Sequence, residues 1–360
     1  MYFRFNNAYR LTIIAVLLLC SGVGLAQSPS VTSSLFGTTS SGTDVTLFTL
    51  TNSSGMKAKV IEYGGTLVSL EVPDRNGTLG NIVRGYDSVT SYTQNPWTGS
   101  IIGRYANRVA YAKFTLDDVE YILTKNSGQH QLHGGNTYGF HKAVWHGYSY
   151  KTDTEAGVRL THLSLDGEEG YPGNLSVMVT YALTDSNELR IEYVATTDKP
   201  TVINMTNHSY FNLAGIGSGN ILNHQVMINA DWYTYADSSK IPTGEIRSVV
   251  GTGLDFRTSK SISSQIGSMG MGGYDHNYVL NSTAGTLFLA ASAYDPQTGR
   301  IMDCFTDQPG MQFYIESSRA TFCFETQHFP DSPNKLHFPS TTLRPGEQFK
   351  STTIYQFSAE

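Results

Sequence analysis

Between Leu175 and Tyr193 the apolar residues fall on every second position. Leu175, Val177, Val179, Tyr181 and Leu183 alternate with polar or small residues, residues 184–188 offer a turn, and Leu189, Ile191 and Tyr193 resume the alternation. A period of two places one side of an extended chain against a core and the other toward water, whereas a helical face needs spacings of three and four. The stretch is therefore a hairpin with one buried face. A second hairpin is written in Phe114, Thr115 and Leu116, an Asp117-Asp118 turn, and residues 119–123. Shorter strand candidates lie at 45–50, 67–72, 144–151, 286–293, 312–316, 321–325 and 352–357. Helical periodicity is confined to a turn or two at 88–93 and 260–266. So many short strands point to an all-β chain of large antiparallel sheets packed as a sandwich or barrel, with very little helix.

The N-terminus differs in kind. Arg4 and Arg10 precede an apolar run over 11–20, and Gly24-Leu25-Ala26 supplies the small residues of a cleavage site, so residues 1–26 read as a signal peptide cut before Gln27. The run is too short to span a bilayer. The mature chain is expected to be secreted or periplasmic, with no membrane partner once the signal is removed. Residues 27–44 are rich in Ser, Thr and Gly without periodicity and read as a loose leader. No linker divides the chain after residue 45, so 27–360 is read as one domain.

Charged residues make up 15% of the chain and the net charge is -6, with no basic stripe or run, which argues against nucleic acid or an anionic membrane as partner. The two cysteines past the signal, Cys304 and Cys323, could form one bridge in an oxidising compartment or stay as buried thiols. Sequons begin at Asn52, Asn76, Asn174, Asn204, Asn207 and Asn281; those at Asn52 and Asn76 look loop-like enough for a glycan.

Chemistry concentrates in residues 204–215, Asn-Met-Thr-Asn-His-Ser-Tyr-Phe-Asn-Leu-Ala-Gly, where His208 stands among amides, hydroxyls and aromatics. Such neighbours can fix an imidazole's tautomer and let it move a proton near neutral pH, although a core histidine satisfied by hydrogen bonds would look the same. Four more stretches mix turn residues with polar groups: 103–108, 131–135, 272–278 and 323–327. A cleft gathering His208, His133, Asp275, Glu325 and Arg108 would hold an acid, a base and fixed hydrogen-bond donors. Plain alternatives stand beside these: a solvated charge for Glu325, a turn cap for Asp275, and for Arg108 and above all Arg104 a structural pair tying a loop to a carboxylate; Trp97, Trp145 and Trp232 could form a sugar-stacking face, but core packing is the commoner fate of such residues.

Stretches 103–108, 132–135, 204–215, 275–277, 308–314 and 325–327 occur in the order, and mostly at the spacing, of aldose 1-epimerases, the galactose mutarotases, and the resemblance covers essentially the whole mature chain. It implies the family's β super-sandwich. It also implies His208 as the general acid on the sugar ring oxygen and Glu325 as the general base on the C1 hydroxyl. Asn107, Arg108, His133, Asp275 and Gln312 match the positions that hold sugar hydroxyls, and Tyr210 belongs to the same site. The implied partner is a small free sugar, with no cofactor or metal and a monomeric enzyme. Mutarotation moves one proton on and one off, so an acid and a base suffice. At neutral pH a carboxylate is ready as a base, while His208 must be kept protonated, for which Asp275 nearby would serve. Gln312 and Glu325 stand closer in sequence than in some relatives, which predicts a trimmed loop beside the site.

Four other readings compete. A glycoside hydrolase would use Asp275 and Glu325 as its carboxylate pair but needs no histidine. A carbohydrate-binding module would keep the hydroxyl-holding residues without the acid–base pair. A metal site from His130, His133 and His141 lacks a recognised ligand spacing. An epimerase of hexose phosphates would want an Arg/Lys cluster, and the sequence has none.

Overall fold

The structure, a computed structural model, describes residues 28–267, 273–283 and 285–360; the segment read as a signal peptide, and the cleavage point before Gln27, lie outside them. The Leu175–Thr184 and Glu188–Thr197 strands pair antiparallel, with Tyr181 opposite Ile191 and Val179 opposite Tyr193. They sit inside a nine-stranded sheet. On one side of them come Glu155–Ser164 and His146–Lys151; on the other come Phe349–Ala359, Arg300–Thr306, Phe288–Tyr294, Gln225–Ile228 and Lys260–Ser261. The second predicted hairpin also forms, Lys113–Leu116 against Val119–Ile122, with Asp117 and Asp118 both at positive φ in its turn.

A five-stranded sheet is built from Pro242–Ser248, Trp232–Ala236, Asp275–Val279, Gly310–Ile315 and Phe322–Gln327, in that spatial order, with every pairing antiparallel. A further five-stranded sheet runs through the N-terminal strands from Ser30–Thr38 to Leu79–Asn81. Leu50 and Leu70, Val179 and Ile191, and Phe313 and Phe324, drawn from all three sheets, belong to one buried apolar cluster. Burying each such side chain stabilises the fold by roughly 1.5–3 kcal/mol, and a single shared core makes the sheets the layers of one all-β sandwich. The α-helices among the described residues are Val89–Gln94, capped by the Ser88 side chain, and Ile262–Ile266.

Two expectations need correction. The segment read as a loose leader contains the strand Ser30–Thr38, paired along its length with Asp44–Thr51. As an edge strand with mostly solvent-facing side chains it shows no apolar alternation, yet its Ser, Thr and Val residues suit extended backbone, and Val31 packs on the core. The Asn52 sequon does lie in the turn between Asp44–Thr51 and Lys57–Ile61, but it is closed to a glycan: the side chain is fully buried, its Nδ2 donating to the Thr184 carbonyl at 2.8 Å and its Oδ1 accepting from Met56 N at 2.9 Å. Cys304 and Cys323 are buried free thiols.

Candidate active site

One face of the five-stranded sheet is polar. Along Phe322–Gln327 the side chains alternate, so Phe322 and Phe324 join the core while Cys323 and Glu325 point the opposite way. Gln312 lies directly across from Glu325 on the neighbouring strand, and Asn277 directly across from Gln312 on the next. Asp275 lies two residues before Asn277 on the same strand, across from Tyr314. Its Oδ1 accepts from Gln312 Nε2 at 2.6 Å, and its Oδ2 is paired with the Lys240 ammonium. Lys240 offsets the cost of burial there and holds the Asp275 carboxyl below its ordinary range.

His208 arrives from another direction. Thr206–Asn207 pairs with Ile101–Ile102, and His208 continues that ladder, its N–H donating to the Ser100 carbonyl at 3.0 Å and its carbonyl accepting from Gly99 N at 2.9 Å. The backbone is thereby tied on both sides. The ring stacks on Tyr210 with centroids 4.8 Å apart and planes 11° apart, and meets His133 and Tyr314 edge-on. Its Nδ1 faces Cys323 Sγ at 3.5 Å, and its Nε2 faces Glu325 Oε1 at 3.7 Å. That separation is too long for a hydrogen bond.

Asn107 and His133 both adopt left-handed backbone, φ 60° and 53°, and exchange contacts. His133 N donates to the Asn107 carbonyl at 2.9 Å, while Asn107 N donates to His133 Nδ1 at 3.3 Å. Gly134 follows because a Cβ there would stand 1.9 Å from the Gly103 carbonyl oxygen. Seven of the eight residues singled out in the sequence, Asn107, Arg108, His133, His208, Tyr210, Asp275 and Glu325, wall a cavity of about 150 Å³. Gln312 does not reach that wall; it lines an adjoining recess of about 20 Å³ with Asn107, Arg108 and Asp275.

The sequence reading missed Lys240, Trp97 and Tyr314 at this cavity. Tyr314 belongs to the quoted stretch 308–314 and could have been found there. Trp97, read as core, packs on His133 with centroids 5.3 Å apart; Trp145 is core as expected, and Trp232 is exposed. Lys240 comes from a turn and has no signal in the sequence. Arg104 is structural: its guanidinium donates to the carbonyls of Ser164, Leu165 and Pro172 and to Ser164 Oγ, though not to a carboxylate.

Electrostatics correct a further expectation. Glu325 and His208 are both almost fully buried, so each resists its charged form. Burial pushes the Glu325 carboxyl well above the usual range, helped by Asp275, and pulls His208 down to about 4. A backbone hydrogen bond and the Asp275 charge act the other way on His208 and are outweighed by burial. Burial thus disfavours the charged form of both groups, against the ionised Glu325 and protonated His208 expected from ordinary pKa values.

His130, His133 and His141 do not converge; among the described residues the group of three that does is His133, His208 and Glu325, with ligand atoms within 4.8 Å. Burial keeps His133 neutral, and Nδ1 accepts the Asn107 N–H, so its hydrogen sits on Nε2. A ring nitrogen that carries hydrogen donates to an oxygen and cannot ligate a metal. The arrangement therefore suits a polyhydroxylated ligand, with unpartnered buried atoms at Glu325 Oε2, Gln312 Oε1 and Arg108 Nε to receive it.

The family model for aldose 1-epimerase matches residues 46–356. A galactose mutarotase from Sus scrofa is 39% identical over 345 residues, covering 91% of this chain and 99% of that protein. An aldose 1-epimerase from Escherichia coli (strain K12) is 37% identical over 335 residues, 87% of this chain and 95% of that one. Among solved structures, a galactose 1-epimerase from Lactobacillus acidophilus NCFM superposes with a TM-score of 0.80 at 28% identity, over 92% of this chain and 99% of the other. The match to the model and to near-full-length relatives, on a fold that brings the expected acid and base to one cavity, establishes that the chain belongs to the aldose 1-epimerase family.

Proposed function

We propose that this chain is an isomerase that interconverts the α and β anomers of free hexoses, galactose and glucose among them, with Glu325 as base and His208 as acid. The observation that supports it most is the pair itself: an imidazole nitrogen and a carboxylate oxygen 3.7 Å apart, both buried, both facing a cavity lined by hydrogen-bonding side chains. Glu325 takes the proton from the C1 hydroxyl as the C1–O5 bond breaks, and His208 Nε2 delivers a proton to O5. The free aldehyde rotates about C1–C2, and the two groups, now with exchanged protons, close the ring on the other face. One proton leaves the sugar and one enters it, so the reaction balances without a cofactor.

In this reading the pair shares a single proton, and because burial disfavours the imidazolium that proton has to reach His208 before the reaction can start. A bound sugar favours that shift, because its C1 hydroxyl donates to the ionised carboxylate and its ring oxygen accepts from the imidazolium. Arg108, Asn107, His133 and the Asp275–Gln312 pair then hold the remaining hydroxyls and fix the sugar between acid and base. The signal-peptide reading of residues 1–26 puts the activity outside the cytoplasm.

Polarimetry tests this. Freshly dissolved α-D-galactose and α-D-glucose should relax to anomeric equilibrium faster with the protein, and Glu325→Gln and His208→Ala should each lose about 10²–10⁴-fold in rate. A folded wild type that leaves the spontaneous rate unchanged would overturn the proposal and leave a sugar-binding protein.

A further inference from the structure

The plane of the His208 imidazole is set by ring contacts: Tyr210 stacked at 4.8 Å, with Tyr314 edge-on to both rings at 6.0 and 6.2 Å. Tyr210 is itself gripped from outside the cavity. Its carbonyl accepts from Arg84 N at 2.9 Å, and the Arg84 guanidinium lies over the phenol ring, 5.7 Å from its centroid. That guanidinium forms a two-pronged pair with Glu316, 2.6 Å on each prong, and Glu316 also accepts from Thr321 Oγ1 at 2.6 Å. Arg84 and Glu316 come from opposite sides of Tyr210 in the chain, one before residues 204–215 and one in the turn joining Gly310–Ile315 to Phe322–Gln327. The turn that carries Glu316 thus connects the strand of Gln312 to the strand of Glu325.

We propose that Arg84 and Glu316 are positioning residues for the acid: the pair clamps Tyr210, and the stack passes that constraint to the imidazole plane of His208. This rests on the acid role proposed for His208. Neither residue lines the sugar cavity. A surface ion pair usually contributes little, but this one is largely shielded, with side chains 26% and 17% exposed, and is bidentate, the geometry in which arginine holds a fixed plane. Its value to the fold is orientation. A Tyr210 ring free to tilt would let the imidazole tilt with it, and a proton donor misplaced by about 1 Å can lose about 10²-fold in rate.

The experiment compares Arg84→Met, Arg84→Lys, Glu316→Gln and the reversed pair Arg84→Glu/Glu316→Arg with the wild type. Arg84→Met and Glu316→Gln are expected to lower kcat about tenfold while KM for galactose stays within about twofold, since no contact to the sugar is lost. Arg84→Lys, which keeps the charge without the fork, should fall nearly as far, and the reversed pair should recover most of the loss. Without any sugar, the His208 ring resonances should shift in Arg84→Met and return in the reversed pair, because the ring current of Tyr210 reports its tilt. An unchanged kcat, or a kcat loss matched by a KM rise, would overturn the proposal, and so would unmoved ring resonances. If the wild type fails to accelerate mutarotation, the function reading falls, yet the resonances still decide whether the clamp exists.

Discussion

The nine-stranded sheet and the five-stranded sheet use the same antiparallel pairing and put it to opposite ends. In the first, cross-strand neighbours such as Tyr181 and Ile191 are buried and apolar, and face a continuous core. In the second, the cross-strand neighbours Gln312 and Glu325 are just as buried but carry polar atoms without partners. Burial without a partner costs free energy, so the second sheet is held in place partly by what the first one gains. The two meet at the Tyr355 hydroxyl, which donates from the Phe349–Ala359 strand to the Phe324 carbonyl at 2.8 Å, one residue before Glu325. One sheet stores stability and the other spends it on a site whose unpaired groups await a ligand.

The sharpest way to break that division is to cut each sheet separately. Ile191→Ala removes a fully buried side chain from the nine-stranded sheet and should cost about 2–5 kcal/mol of unfolding free energy, while the rate per folded molecule stays at the wild-type value. Denaturant unfolding monitored together with polarimetry reads both. A large rate loss in the folded fraction would show that the two sheets are not independent.

Glu325→Gln should do the reverse, abolishing most activity while raising stability by about 1 kcal/mol. The sign follows from linkage. The folded pKa is raised above the unfolded value near 4.3, so between the two the unfolded chain releases a proton that the folded chain keeps, and stability falls as pH rises through that window. At pH 7 the glutamate is therefore a burden that the neutral amide lifts. Equal or lower stability of the variant at pH 7, by thermal unfolding, would contradict the division.

The nine-stranded sheet was legible because alternation records a one-sided burial, and the 175–193 hairpin carries it at every step. The Ser30–Thr38 strand was not, since an edge strand is held by backbone pairing that leaves no apolar mark. At the site, residues on strand ends and tight turns could be gathered by type and by family likeness. Lys240 could not, because its meeting with Asp275 is made by the turn geometry of residues 237–241 and by no pattern of residue types. The proton distribution was also hidden: residue names supply ordinary pKa values, and only burial reverses the order of Glu325 and His208.

That reversal gives the smallest effect and the finest test. The groups facing His208 are Glu325, His133, Tyr210, Tyr314 and Cys323, with Asp275 acting from farther off. With the single shared proton proposed for Glu325 and His208, activity at low pH ends where the pair accepts a second proton, and burial moves protonation of His208 down to about 4. The kcat/KM for galactose at pH 5 should therefore remain about nine-tenths of its value at pH 7, whereas an imidazole titrating near 6.5 would leave a few per cent or, if needed protonated, a rise. A limb centred near 6.5 in either direction would mean that His208 meets water in the free enzyme, and would place the polar sheet nearer to solvent than its burial allows.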